Sequence, residues 1–203
     1  EISKTVEVCG VKIGIYGGSI GCSISGGADS AVLAYILLNN APGPINFYVT
    51  DSINWPNRIV GARDVYQRLV NLVPRDDVQL IETLIYDEQE DENLFETIKS
   101  DLRSEKISMC YTGITNNPPG NPDFGQKSTM LEHRSGVRPT LDIKFYMPWA
   151  NINKSKIAEM YQHFDLMQSI FPYTFSCVDS KTSEHCDDCW WCEERKWAFG
   201  SLV

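Results

Sequence analysis

Ser25-Gly26-Gly27-Ala28-Asp29-Ser30 joins two unlike segments, and that placement constrains the fold more than any other feature of the chain. Residues 20–24 before it are a short strand-like run, and residues 29–39 continue as a helix rich in Ala and Leu. Glycines at such a junction adopt backbone angles closed to other residues and let the main chain approach a ligand closely. Amides at the helix start then point outward, where the helix dipole favours an anion. Ser25 and Ser30 add hydroxyl donors, and Asp29 is the candidate for holding Mg²⁺ on a phosphate. Without a ligand, the same residues read as a Ser/Asp-capped helix after a glycine turn. No Gly-Lys-Ser/Thr follows, which excludes a Walker loop, and a dinucleotide fingerprint needs a different glycine spacing.

Further strands and helices follow in alternation. Residues 45–50, 78–84 and 106–112 are β-prone runs; residues 57–72 carry Ala62, Val65, Tyr66 and Leu69 on one helical stripe, and residues 93–103 read as a polar helix. This order predicts an α/β fold with a parallel sheet covered on both faces, in a single domain spanning residues 1–203. Residues 1–18 read as an N-terminal extension, an added hairpin. From residue 115 to 139 periodicity stops around Asn116-Asn117-Pro118-Pro119-Gly120-Asn121-Pro122. A structureless stretch that long is usually functional, so residues 115–140 are the expected substrate loop, with a disordered surface insertion as the alternative. Helix returns at residues 154–164, with Ile157, Met160, Tyr161 and Phe164 on one face and Asn153 as its cap.

Charge narrows the partners. With 18 Lys plus Arg against 27 Asp plus Glu, the net charge of −9 argues against an extended nucleic-acid surface. Small molecules are the expected partners, with Mg²⁺ where phosphates are handled. The longest apolar run, residues 31–38, is far short of a membrane span, and no signal peptide is evident in the first twenty residues. A cytoplasmic protein is expected.

Of seven cysteines, Cys9, Cys22 and Cys110 are scattered, as small buried hydrophobes usually are. The other four form Cys177-x8-Cys186-x2-Cys189-x2-Cys192, enough thiolates to close a tetrahedral Zn²⁺ site in a reducing compartment. Such a site in residues 175–203 would be structural; free thiols and an iron–sulfur cluster are the alternatives. His185 reads as a surface neighbour. Trp190, Trp191 and Trp197 read as core or dimer contacts, which leaves a homodimer open.

The hexapeptide resembles the SGGxDS signature of N-type ATP pyrophosphatases, the PP-loop enzymes with an adenine nucleotide alpha hydrolase-like fold. The two ends together resemble the 7-cyano-7-deazaguanine synthase family. The carrying residues are Cys186-Asp-Asp-Cys-Trp-Trp-Cys-Glu-Glu-Arg-Lys-Trp-Ala-Phe199, Phe175-Ser176-Cys177, Pro148-Trp149, and Asn153-Lys154 with Ile157. The resemblance implies that Ser25, Gly26, Gly27, Ala28, Asp29 and Ser30 bind ATP, with Ser25, Asp29 and Ser30 catalytic, and that ATP is cleaved to AMP and pyrophosphate. It implies conversion of 7-carboxy-7-deazaguanine and ammonia to the nitrile, as a C–N ligase of queuosine biosynthesis. Substrate-binding candidates are Asp123, in the one match to the family's Pro-Asp, with Arg134, Arg138 or Lys127 for a carboxylate, and Lys154. Where the family carries Gln-x-His-x-x-Glu, this chain has Ser52-Ile-Asn-Trp-Pro-Asn-Arg58. Two alternatives therefore stand beside the nitrile-forming enzyme. One is a relative redirected to amide formation or to protein or nucleobase modification in phage or antiviral defence; the other is a non-catalytic nucleotide-binding module.

Overall fold

Residues 1–52, 58–85, 95–120, 145–177 and 184–203 are described in a computed structural model of the chain. Two strands come first, β1 (Ile2–Val8) and β2 (Val11–Tyr16), paired antiparallel. Cys9 and Gly10 turn between them, both with positive φ, as a tight two-residue hairpin requires. Val8, Ile13 and Ile15 bury the hairpin's inner face.

Five strands build the main sheet: β3 (Ile20–Ser23), β4 (Ile45–Ser52), β5 (Val78–Ile85), β6 (Cys110–Thr112) and β7 (Phe145–Tyr146). Their order is β5-β4-β3-β6-β7, all parallel, with Cys22 opposite Phe47 on one side and Tyr111 on the other. The middle strand buries Ile20, Gly21 and Cys22, as a central strand of a parallel sheet does. Helix α1 (Ala28–Asn40) buries Ala31, Val32, Leu33, Ala34, Ile36 and Leu37, nearly all round, as befits the central helix. Helix α2 (Arg58–Leu72) buries only the stripe Ile59, Ala62, Val65 and Leu69. Helices α3 (Glu96–Arg103), α4 (Lys154–His163) and α5 (Trp190–Phe199) follow. Both α2 and α4 pack on α1, and α5 packs on α4. Asn153 caps α4, its side chain accepting from Ser155 N at 3.0 Å.

Three segments differ from the sequence reading. The strand expected over 106–112 is confined to Cys110–Thr112, because Lys106 N still donates to Asp101 O at 2.9 Å and closes the end of α3. Glu105, in left-handed geometry, makes that turn. Strand β7 adds a sheet edge that two residues do not announce. Of the 115–139 stretch, residues 121–139 lie outside the described residues, so Asp123, Lys127, Arg134 and Arg138 do too; Asn116 N donates to Ile152 O at 2.7 Å.

Candidate functional site: a phosphate loop and a four-cysteine centre

Strand order reverses at β3, with β4 and β5 to one side and β6 to the other. In an open α/β sheet that is where ligands bind, beyond the carboxyl ends of the strands. A cavity of about 320 Å³ lies there, lined among others by Ser25, Gly27, Asp29, Ser30, Thr112 and Gly113. Gly26 has φ +79, and a Cβ on it would stand 3.0 Å from Ala62 N in α2, so both conformation and space require glycine. Ser25 Oγ accepts from Gly27 N (3.3 Å), and Ser30 Oγ accepts from Ser25 N (3.3 Å) while donating to Gly27 O (3.1 Å). The serines thus shape the loop; no side chain caps α1, whose N-cap is Gly27. The capped-helix alternative is therefore not what the structure shows.

Gly113 presses on the same helix start from β6: a Cβ there would lie 2.8 Å from Ser30 N and 2.9 Å from the Asp29 carbonyl carbon. Beside it, the buried Thr112 Oγ1 has no hydrogen-bond partner among the described residues. The first turn of α1 is held from the far side as well. Tyr161 donates from its hydroxyl to Ala28 O at 3.0 Å, and Trp149 Nε1 donates to Asp29 O at 3.2 Å. Lys154 Nζ lies 3.4 Å from Asp29 Oδ2 and 2.8 Å from Glu194 Oε2, with the Lys154 side chain 4% exposed and that of Glu194 fully buried. Phe175 N donates to Gly26 O at 2.9 Å.

Cys177, Cys186, Cys189 and Cys192 meet as their spacing predicts. Their sulfurs all lie within 4.8 Å of one another, with Cys177 and Cys189 3.9 Å apart and Cys186 and Cys192 4.0 Å apart. Four sulfurs on one tetrahedral ion with 2.3 Å arms stand about 3.8 Å apart, so a slight closing of the set would seat a single metal ion. Cys189 stands at the N-cap position of α5, and Cys192 lies in its first turn. Hydrogen bonding to Cys192 pulls the Cys189 thiol down to about 5, while burial pushes Cys186 up to about 12. A bound cation displaces the protons of thiols held this way.

Arg195 is wholly buried beside the centre, donating to Leu202 O (2.8 Å), Ser176 Oγ (3.1 Å) and Phe171 O (2.9 Å), its guanidinium 4.0 Å from the Phe171 ring centroid. His185 is not the surface residue expected. It is half-buried against Phe175, its Nδ1 3.7 Å from Cys192 Sγ, and burial and then Arg195 pull its pKa down to about 4, so it is neutral at pH 7. Trp190 is buried, whereas Trp197 is 42% exposed.

The structure therefore brings Ser25, Gly26, Gly27, Ala28, Asp29, Ser30 and Lys154 to one place and the four cysteines to another. Sequence reasoning passed over Thr112, Gly113, Tyr161 and Glu194. A Thr-Gly pair closing a strand is a usable signal for the first two; the others only the packing reveals.

No curated protein matches the chain. Among solved structures, the fold is similar to the U34-tRNA thiolase NcsA from Methanococcus maripaludis with its [4Fe-4S] cluster. That match has a TM-score of 0.50 and 15% identity, and covers 90% of this chain and 70% of the other. At that identity it speaks for the fold alone, a parallel α/β sheet. The profile described as "Queuosine biosynthesis protein QueC" matches residues 76–203, which take in Gly113, Trp149, Lys154 and all four metal-site cysteines. With well over half of its length matched, and with that fold, the chain belongs to the QueC family.

Proposed function

We propose that the chain is an ATP-dependent ligase that adenylates a carboxylate at the phosphate loop, with 7-carboxy-7-deazaguanine and ammonia as substrates and 7-cyano-7-deazaguanine as product. The observation that carries this reading is the cavity at the sheet's switch point. Ser25, Asp29, Ser30 and an uncapped helix start converge there, in a chain of the QueC family. The helix start and the serine hydroxyls suit phosphate oxygens, and Asp29 suits Mg²⁺ bound to them. Binding ATP there leaves its α-phosphorus open to the carboxylate. A carboxylate oxygen attacks that phosphorus, pyrophosphate leaves, and ammonia displaces AMP to give the amide. A second ATP adenylates the amide oxygen, and loss of AMP and a proton gives the nitrile. The protein supplies position and fixed charge, with donors held in place beforehand. Lys154, against Asp29, serves the ATP side of this site as well as the incoming acid. Asp123, Arg134 and Arg138, outside the described residues, are proposed for the acid itself.

For the four cysteines we propose one structural Zn²⁺ per chain. Their sulfur separations support a single ion over a four-iron cluster, whose cysteines bind four different irons and stand farther apart. The altered segment 52–58 favours one second reading, arrest at the amide.

The deciding experiment is mass spectrometry of products from Mg-ATP, ammonia and 7-carboxy-7-deazaguanine. The expected products are AMP, pyrophosphate and the nitrile, all abolished in Asp29→Ala. ADP as the nucleotide product refutes the mechanism, and amide alone selects the second reading.

A further inference from the structure

The two sites are not independent in the fold. Cys177 is two residues from Phe175, whose amide holds Gly26 O at 2.9 Å. Cys192 is two residues from Glu194, whose carboxylate holds the Lys154 ammonium at 2.8 Å, 3.4 Å from Asp29. Between these arms, Arg195 fastens α5 to Ser176 and Phe171. A metal ion binding Cys177 and Cys192 together therefore fixes the separation of the two segments that grip the phosphate loop from either side.

We propose that Glu194 is a positioning residue that couples the four-cysteine centre to the nucleotide site. It is fully buried, and it is not among the residues that line the cavity. It acts through Lys154, which it holds in a region too dry for the ammonium to swing into water. Rotation or fraying of α5 withdraws Glu194, and Lys154 then loses the contact that keeps it beside Asp29. Lys154 and Glu194 form an ion pair with both side chains buried, and removing one partner of such a pair is costly. Coupling between two binding sites is reciprocal. If a bound metal improves the nucleotide site by some factor, bound nucleotide must tighten the metal by the same factor.

The inference rests on the ATP and zinc readings, and its test separates the three. The full chain, loaded with Zn²⁺ and shown by elemental analysis to hold one ion, is mixed with the chromogenic chelator 4-(2-pyridylazo)resorcinol. Metal release is followed with and without a saturating Mg²⁺ complex of a non-hydrolysable ATP analogue, whose binding is measured separately by calorimetry. Nucleotide should slow release by about 10-fold, within the usual range for coupled sites. Glu194→Gln should still hold one zinc and lose the slowing, and Glu194→Asp should recover part of it. A role for Glu194 confined to stability would lower the melting temperature yet leave the ratio of the two rates unchanged. Equal release rates in the parent chain, with the analogue shown to bind, overturn the coupling while leaving the ATP reading intact. Retained slowing in Glu194→Gln overturns the assignment to Glu194. If that variant does not fold, Glu194→Asp takes its place, and a rate ratio equal to the parent's overturns the assignment. A chain that binds no nucleotide fails the function proposed above, and this inference with it.

Discussion

Adding one methyl group at Gly113 tests whether the end of β6 sets the position of the phosphate loop. A Cβ there would stand 2.8 Å from Ser30 N and Cα, while ordinary contact begins at 3.4 Å, so the fit falls short by about 0.6 Å. The opposing atoms are backbone in the first turn of α1, which Tyr161 and Trp149 hold from the far side, so no flexible side-chain tip can give way. Overpacking of this kind costs about 1–3 kcal/mol, offset by about 0.4–1 kcal/mol because alanine narrows the unfolded ensemble. The net loss of about 1–2 kcal/mol corresponds to a fall in Tm of roughly 2–8 °C for a chain of this size. Catalysis should suffer more than stability. A misplacement of about 1 Å costs on the order of 100-fold, so a shift near half that predicts roughly 10-fold slower AMP formation. Calorimetry and a coupled pyrophosphate assay read both effects. Gly61→Ala is the control: nothing lies within 4 Å of its Cβ, it sits inside α2, and it should gain about 0.5–1 kcal/mol. If Gly113→Ala matches the parent in Tm and turnover, the loop is not set from β6.

Thr112→Val should be neutral or raise stability, because it removes a buried hydroxyl with no partner among the described residues; a clear drop in Tm counts against that reading. Arg195→Lys should lose about 3 kcal/mol in urea unfolding, since an ammonium cannot reach Leu202 O, Ser176 Oγ and Phe171 O together. Cys189→Ser should hold well under one zinc per chain by elemental analysis and expose the α5 region to proteolysis; full zinc content or an iron signal argues against the structural zinc site.

The parts legible in the sequence are those where local chemistry and global fold agree. The hexapeptide lies on the loop between β3 and α1 because glycine tolerance, serine hydroxyls and a following apolar helix all serve one junction. The stripe on α2 and the Asn153 cap follow from periodicity and side-chain reach alone. The cysteine spacing foretells the cluster because the four cysteines fall within one short stretch, Cys177 to Cys192. Lys154 illustrates what was hidden. Its place in the sequence suggested a substrate contact, but its neighbours Asp29 and Glu194 are far away along the chain, and no local pattern encodes them. Strand β7 was hidden for another reason: two residues are too few for any period, and only the register of Phe145 against Cys110 defines it. His185 was misjudged because polarity and a charged neighbourhood signal exposure, while a ring tilted against Phe175 leaves no trace in sequence.

The Asp29–Lys154–Glu194 bridge also bears on the order in which the molecule assembles. Asp29 leaves the ribosome well before Lys154 and Glu194, so the phosphate loop is made before its support. Contacts of such long sequence separation close after local helices and neighbouring strands have formed, and they slow folding. The nucleotide site should therefore be among the last parts of the chain to become competent. A nascent chain halted before α5 would carry the complete loop sequence and yet lack the framework that holds it for ATP.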